Sequence, residues 1–428
     1  MGADWDGDSD GGTGIMDYLL SSFRIRHLFE DDTPRPKNGQ RRPIPRCRED
    51  DYGKDAIERR WSHVREETGT ELDHVKNYSF DPSVTRGNIE NFIGVVQVPI
   101  GVAGPLLVRG EKANGEFVVP MATTEGALLA SYNRGMKMLS LSGGATCTVV
   151  EDTMQRAPVF IFENAREGRL FVSWLQENME DIRRQAEATS RHASLIDIDT
   201  SQVSKMVYAR FNFRTGDAAG QNMVSVATQA AVKWITSNSR IQIVKAHLTS
   251  QFESDKKTSV TNTVRSRGKR VIAEATIPKE VLQDGACVTP QELVDLTHVG
   301  TMGSFFSGST SNSVHAVNAI TAMFIATGQD VANVAEASSG LGYAETTPKG
   351  DFYISITLPS LIVATHGGGT ALPCQQECLK MMGCTGEGTA VRLAEIVGAT
   401  VLAGELSLLS AVCSSDWVSA HQKLGRNR

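Results

Sequence analysis

The sequence predicts an α+β fold in more than one domain, and three observations carry that prediction. A chain of 428 residues is longer than one hydrophobic core usually organises. Residues 159–243 mix strand-like runs (206–213, 241–244) with helical ones (171–188, 223–236), unlike the segments on either side. A final apolar segment, 389–412, carries Ala, Gly and Leu on every side, as a helix packed all round requires.

Taken in order, residues 1–14 are rich in Gly and Asp and predict disorder. Residues 15–29 hold enough apolar side chains for a short helix, and the basic, proline-rich stretch 34–48 predicts an extended linker. Residues 55–67 read as a charged surface helix with Ile57 and Trp61 on one face. From Asn91 the text changes: 92–106 is β-branched and punctuated by glycine, which predicts strand and turn. Residues 125–139 predict a helix with Thr123 or Thr124 as N-cap. The resulting division has a flexible segment 1–50 and a small helical region 51–89. A large domain (90–157 and 259–428) follows, interrupted by a small domain 158–247 and a connecting loop 248–258.

Composition narrows the function classes. Hydrophobic residues make up 40% and charged residues 21%, ordinary for a soluble globular protein. A net charge of −6 leaves no basic footprint for nucleic acid. Seven cysteines, an odd number without a secretory signal, point to reduced thiols and a cytoplasmic setting. Cys374, Cys378 and Cys384 lie close together, but without a Cys-x-x-Cys pair or nearby histidines they read as packing residues, and no metal is expected. No membrane span is expected either: 304–329 is full of Ser, Thr, Asn and Gly, and 393–413, charged only at Glu395 and Glu405, suits a buried helix.

Four segments far apart carry one residue each suited to acid–base or anion chemistry. They are Glu125 in Met-Ala-Thr-Thr-Glu-Gly, Lys256 in Ser-Asp-Lys-Lys, Asp330 in Ala-Thr-Gly-Gln-Asp, and His421 in Val-Ser-Ala-His-Gln. Alone, each reads as a solvated side chain. In this order and wording, from about Tyr78 onward, they resemble the catalytic set of the 3-hydroxy-3-methylglutaryl-coenzyme A (HMG-CoA) reductases, class I form. The resemblance implies a large α/β substrate domain built around a buried helix and interrupted by a small ferredoxin-like cofactor domain. It implies a homodimer or homotetramer with active sites between subunits. Eukaryotic members usually carry a membrane anchor ahead of the catalytic part, so the chain is expected to be a soluble relative or an excised catalytic portion.

Reducing a thioester to an alcohol takes two hydride additions and expels a thiolate between them. The site needs a cation for the oxyanion, an acid for the carbonyl oxygen and a proton for sulfur. By resemblance Lys256 holds the oxyanion, Glu125 donates the proton, Asp330 tunes the pair, and His421 protonates the departing thiolate. Glu125 and Asp330 lie among apolar and small residues, so burial is expected to raise both carboxyl pKa values, with Lys256 cradled between them. There is no Gly-x-Gly-x-x-Gly after a strand, so the usual dinucleotide fold is unsupported. Instead Asp217, Ala219, Gly220, Gln221, Asn222 and Met223 resemble the family's own nicotinamide-cofactor segment. Ser190 and Arg191 resemble the pair that meets the 2′-phosphate of NADPH. Asn133 and Arg134 match positions near the coenzyme and cofactor. Arg156, Thr249, Gln251, Asp255, Lys257, His315 and Asn318 match positions that contact the acyl group of HMG-CoA. The pocket departs from the family at Thr249, Gln251 and a missing lysine in 293–298, which predicts weaker carboxylate binding. A silent paralogue serving as a binding subunit, or a non-redox acyl-CoA enzyme, are the competing readings. Retention of all four chemical groups disfavours the first, and the 217–223 segment with Arg191 disfavours the second.

Overall fold

The structure, a computed structural model, describes residues 42–414. The expected helix at 15–29, the disorder at 1–14 and His421 lie outside the described residues. Helices of eight or more residues are α1 (Lys54–Thr68), α2 (Leu128–Leu141), α3 (Ala165–Glu177), α4 (Met179–Glu187), α5 (Gln221–Asn238), α6 (Lys279–Ala286), α7 (Pro290–Phe306), α8 (Ala316–Thr327), α9 (Pro373–Met381) and α10 (Thr389–Cys413). Strands are β1 (Ile100–Gly110), β2 (Asn114–Ala122), β3 (Ala145–Arg156), β4 (Val159–Ile161), β5 (Ser194–Val203), β6 (Met206–Arg214), β7 (Lys245–His247), β8 (Gly268–Ile277), β9 (Leu341–Thr346) and β10 (Phe352–Leu361).

The described chain forms two compact units. The first holds residues 42–77 and 91–94; 78–90 group with the second. Within the first, α1 buries Ile57 and half-buries Trp61, the pair its spacing predicts, and it also buries Ala56 and, completely, Arg60. Arg60 is tolerated because its guanidinium is fully used: Nε donates to the Phe92 carbonyl (2.9 Å) and Nη1 to Asp51 Oδ1 (2.8 Å).

The second unit contains two hydrophobic cores on one sheet. In the smaller, β4, α3 with α4, β5, β6, α5 and β7 follow one another, and the sheet runs β7-β4-β6-β5, all antiparallel. That βαββαβ order is the ferredoxin-like arrangement. Its core gathers Phe160, Phe162, Phe171, Phe211, Phe213, Val224 and Ile235. In the larger, the order is β2-β1-β3-β8-β10-β9, and α10 lies in the core. Helix α10 is long and apolar enough to cross a membrane, yet most of it is buried within the protein. Its two carboxylates serve as internal caps: Glu395 accepts the amides of Glu111 (2.9 Å), Lys112 (2.9 Å) and Ala113 (2.5 Å) in the β1–β2 turn. Glu405 accepts Ser313 Oγ (2.6 Å) and the amides of Val314 and His315. Gly135 lets α2 reach α10, since a Cβ there would lie 1.8 Å from the Ala403 carbonyl.

Several local expectations are corrected. The run 92–106 becomes strand only at Ile100. Helix α2 starts at Leu128 with Ala127 as N-cap, because Thr123 Oγ1 is occupied with the Glu125 amide (3.0 Å) in a local turn. The helical run 171–188 is two helices broken at Asn178, whose side chain bonds the Trp174 carbonyl (2.8 Å). The strand expected at 241–244 forms at Lys245–His247 instead. Among the three clustered cysteines, Cys378 and Cys384 are buried but Cys374 is exposed, so only two pack.

Candidate functional site

Helix α5 opens without a side-chain cap. Gly220, its N-cap, is left-handed at φ 78°, and a Cβ there would lie 2.3 Å from Thr215, so only glycine fits. The first amides of an 18-residue helix are left without a side-chain partner, the local condition for an anion site. They face a cleft of about 610 Å³ lined by Ala219, Gly220, Gln221, Asn222, Met223, Asp330, His366 and the glycines 367–369. Asn333 Nδ2 is buried without a protein partner, while Asn333 Oδ1 accepts Gln221 Nε2 at 3.0 Å. A cradle of small residues and helix-end amides fits a phosphate-bearing nicotinamide cofactor.

Asp217 does not face this cleft with its carboxylate. Oδ2 accepts the Gly388 amide (2.7 Å) and Oδ1 the Ala390 amide (2.8 Å), capping α10, while its carbonyl takes the Thr365 amide (2.9 Å). It fixes the loops that carry the glycines. Ser190 and the exposed Arg191 sit in the turn between α4 and β5, Ser190 Oγ accepting the His192 amide (3.1 Å).

Asp330 caps the short turn Val331–Asn333 at the cleft edge, and its Oδ2 lies 2.8 Å from Lys256 Nζ. The hydrogen bond to Asp330, more than burial opposes it, holds the Lys256 ammonium above the usual lysine range. Residues 74 positions apart in the chain thus meet. Glu125 does not join them: its Oε2 accepts Asn318 Nδ2 at 2.8 Å, and it makes no ion pair with Lys256 among the described residues. The expected burial of the two carboxylates is also corrected: Glu125 is exposed ahead of α2, and the Asp330 side chain is 46% exposed.

The acyl-pocket candidates divide the same way. Arg156 donates from Nη1 to Glu253 (3.1 Å) and from Nη2 to Ser225 on α5 (2.7 Å). Thr249 Oγ1 donates to Glu253, and Asp255 accepts Arg267 Nη2 at 2.6 Å. Lys257 Nζ reaches the Asp255 carbonyl (3.0 Å), and Gln251 is exposed with φ 68°. On the Glu125 side, the His315 ring stacks on Tyr132 with centroids 4.8 Å apart. There Asn133 accepts the Gly104 amide (2.8 Å) and Arg134 donates to the Ser407 carbonyl (2.8 Å).

The chain matches the family model for hydroxymethylglutaryl-coenzyme A reductase over residues 56–426. It is 44% identical over 375 residues to the 3-hydroxy-3-methylglutaryl-coenzyme A reductase of Methanothermobacter thermautotrophicus, covering 87% of this chain and 94% of that one. The chain belongs to the HMG-CoA reductase family. The reductase of Pyrococcus abyssi, a further family member, is 43% identical over 379 residues, 87% of this chain and 93% of that one. Among solved structures, an HMG-CoA reductase of Streptococcus pneumoniae superposes with a TM-score of 0.63 at 19% identity, over 77% of this chain and 88% of that one. A class II reductase from the same organism, bound to NADPH in open conformations, gives 0.63 at 19% over 77% and 79%. At that identity the likeness shows the HMG-CoA reductase fold.

Four residues of the site went unnamed in the sequence: Glu253, Arg267, Asn333 and Glu336. All are buried polar groups at 3% exposure or less. The one signal that could have found Glu336 is a single carboxylate inside the small, apolar run Val-Ala-Glu-Ala.

Proposed function

We propose that this chain carries out the four-electron reduction of HMG-CoA to mevalonate and free CoA, with NADPH as hydride donor, as a class I member of its family. The observation that carries the reading is the Lys256–Asp330 ion pair at the edge of the cleft into which α5 opens. NADPH, when bound, supplies hydride. Gly220, Gln221, Asn222 and Met223 would hold its pyrophosphate and nicotinamide side, with Ser190 and Arg191 at the 2′-phosphate.

The remaining chemistry belongs to the chain. Lys256 Nζ neutralises the oxyanion that forms as hydride reaches the thioester carbonyl, and Asp330 keeps it protonated and aimed. Glu125 protonates the carbonyl oxygen, and His421 returns a proton to the thiolate. Arg156 and Lys257 receive the acyl carboxylate, alongside Thr249, Gln251, Asp255, His315 and Asn318. In this reading, segments 90–157 and 259–428 hold the acyl substrate, 158–247 holds the cofactor, and loop 248–258 joins them.

Glu125, hydrogen-bonded to Asn318 rather than to Lys256, is read as serving the Lys256 of a second subunit in a homodimer or tetramer. The apolar residues left exposed on α7, Val299, Met302, Phe305 and Phe306, support such an interface.

The test follows NADPH absorbance and thiol release after HMG-CoA is added, with NADH in parallel. Wild type should consume NADPH in preference to NADH, and Lys256→Ala should lose activity by about 100-fold or more. Folded wild-type protein that neither oxidises NADPH nor releases thiol removes the assignment.

A further inference from the structure

Behind Lys256 lie two buried ions, Glu336 and Arg267, that the chemistry above leaves unused. Glu336 sits in the short helix Val334–Ala337, a few residues after the Asp330 turn, and is 1% exposed. Its Oε1 accepts the backbone amide of Lys256 (3.1 Å) and Nε of Arg267 (3.4 Å). Arg267, fully buried beside the first residue of β8, extends the cluster: Nη2 donates to Asp255 (2.6 Å) and Nη1 to the Gln155 carbonyl (3.2 Å). Burial pushes the Glu336 carboxyl above the usual range, and the Lys256 amide pulls it partly back.

The backbone at this point needs external support. Lys256 has φ 55° and Ser254 φ 52°, both in the left-handed region that side-chain-bearing residues avoid. A lysine in that conformation directs its side chain differently from one that relaxes to the common regions. The segment 330–336 touches Lys256 twice, with Asp330 at the ammonium and Glu336 at the backbone amide. No other carboxylate is hydrogen-bonded to that amide among the described residues.

We propose that Glu336 is a positioning residue that pins Lys256 in its left-handed conformation, so that the ammonium meets Asp330 and the developing oxyanion, with Arg267 as its counter-charge. The inference rests on the reductase reading of Lys256. What acts is the acceptor oxygen at the Lys256 amide; the charge serves only to keep Arg267 compensated.

Three variants separate these roles. Glu336→Gln keeps an acceptor oxygen but loses the charge. Glu336→Asp keeps the charge near Arg267 but withdraws the carboxylate by a methylene. Glu336→Ala loses both. A displaced catalytic group of about 1 Å can lower the rate about 100-fold, so Ala and Asp should lower kcat by at least about 10-fold. Gln should return kcat to within about threefold of wild type, since a neutral acceptor still satisfies the amide. The KM for NADPH should stay level throughout, because Glu336 touches none of the groups at the start of α5. Thermal unfolding is recorded for each variant; if Ala fails to fold, the Asp–Gln comparison decides alone. The proposal is overturned if Asp keeps wild-type kcat, if Gln falls as far as Asp, or if kcat losses come with equal rises in the KM for NADPH. Inactive wild type would instead strike the reductase reading, so the two failures are told apart.

Discussion

Asp330→Asn separates what the Lys256 ion pair does for folding from what it does for chemistry. The charged atoms lie 2.8 Å apart, with 43% of the lysine and 46% of the aspartate side chain exposed. Unit charges at that spacing attract by about 1.5 kcal/mol at the permittivity of water and about 6 kcal/mol at an effective value of about 20. Half-exposure and the entropy of fixing a lysine leave a net contribution of about 1 kcal/mol or less. Asparagine keeps the shape and one acceptor oxygen, so unfolding in urea should shift by no more than that. The reaction should respond far more strongly. Losing a group that aims an oxyanion-stabilising cation removes about 2.7–4 kcal/mol of transition-state stabilisation, or about 100- to 1000-fold in kcat. A second signature is the pH profile. Asp330 is the main cause of the raised Lys256 pKa, so its loss lets that pKa fall, and the alkaline decline of kcat should begin at lower pH in the variant. The stability sign agrees: the pair contributes below the ordinary lysine pKa and is lost as pH rises through the raised one. Wild-type kcat in Asp330→Asn, an unmoved alkaline limb, or a stability loss of several kcal/mol would refute this reasoning.

Two further outcomes follow from the buried carboxylates of α10. Glu395→Ala strands three backbone amides in the β1–β2 turn and leaves a cavity, which should cost about 3–5 kcal/mol in denaturant unfolding; a loss under about 1 kcal/mol contradicts the capping role. Burial pushes the Glu405 carboxyl up despite its hydrogen bonds from Ser313, Val314 and His315. A raised acid adds stability below its ordinary pKa and loses that contribution as pH rises through the folded value. The stability of wild type relative to Glu405→Gln should therefore fall as pH rises above the usual glutamate range. A gap that stays constant with pH argues against it.

How much of this was legible depended on distance along the chain. Helix α10, strand β6 and the body of α5 follow local hydrophobic pattern and end within a few residues of where that pattern ends. The start of α2 departs from the pattern because Thr123 accepts the Glu125 amide, a competing turn with the same residue types as a cap. The break at Asn178 leaves no trace in periodicity. In the site, resemblance supplied Lys256 and Asp330 as separate words, and the fold brought them to 2.8 Å. The partners Glu253, Arg267 and Glu336 stayed invisible, since a buried charge is defined by neighbours remote in sequence. Glu125 shows the limit most clearly: resemblance put it beside Lys256, whereas the fold hydrogen-bonds it to Asn318.

Strand β3 has a mechanical consequence. Ala145 and Cys147 lie in the larger core, Met154 lies in the smaller, and no residue between them leaves the strand. A hinge requires a span owned by neither body, and here the span is owned by both. The pairings of β3 with β8 run to Thr153 and those with β6 begin at Met154, so one unbroken strand passes from one lobe to the other. Joined through a shared strand rather than a linker, the lobes should melt together rather than one before the other.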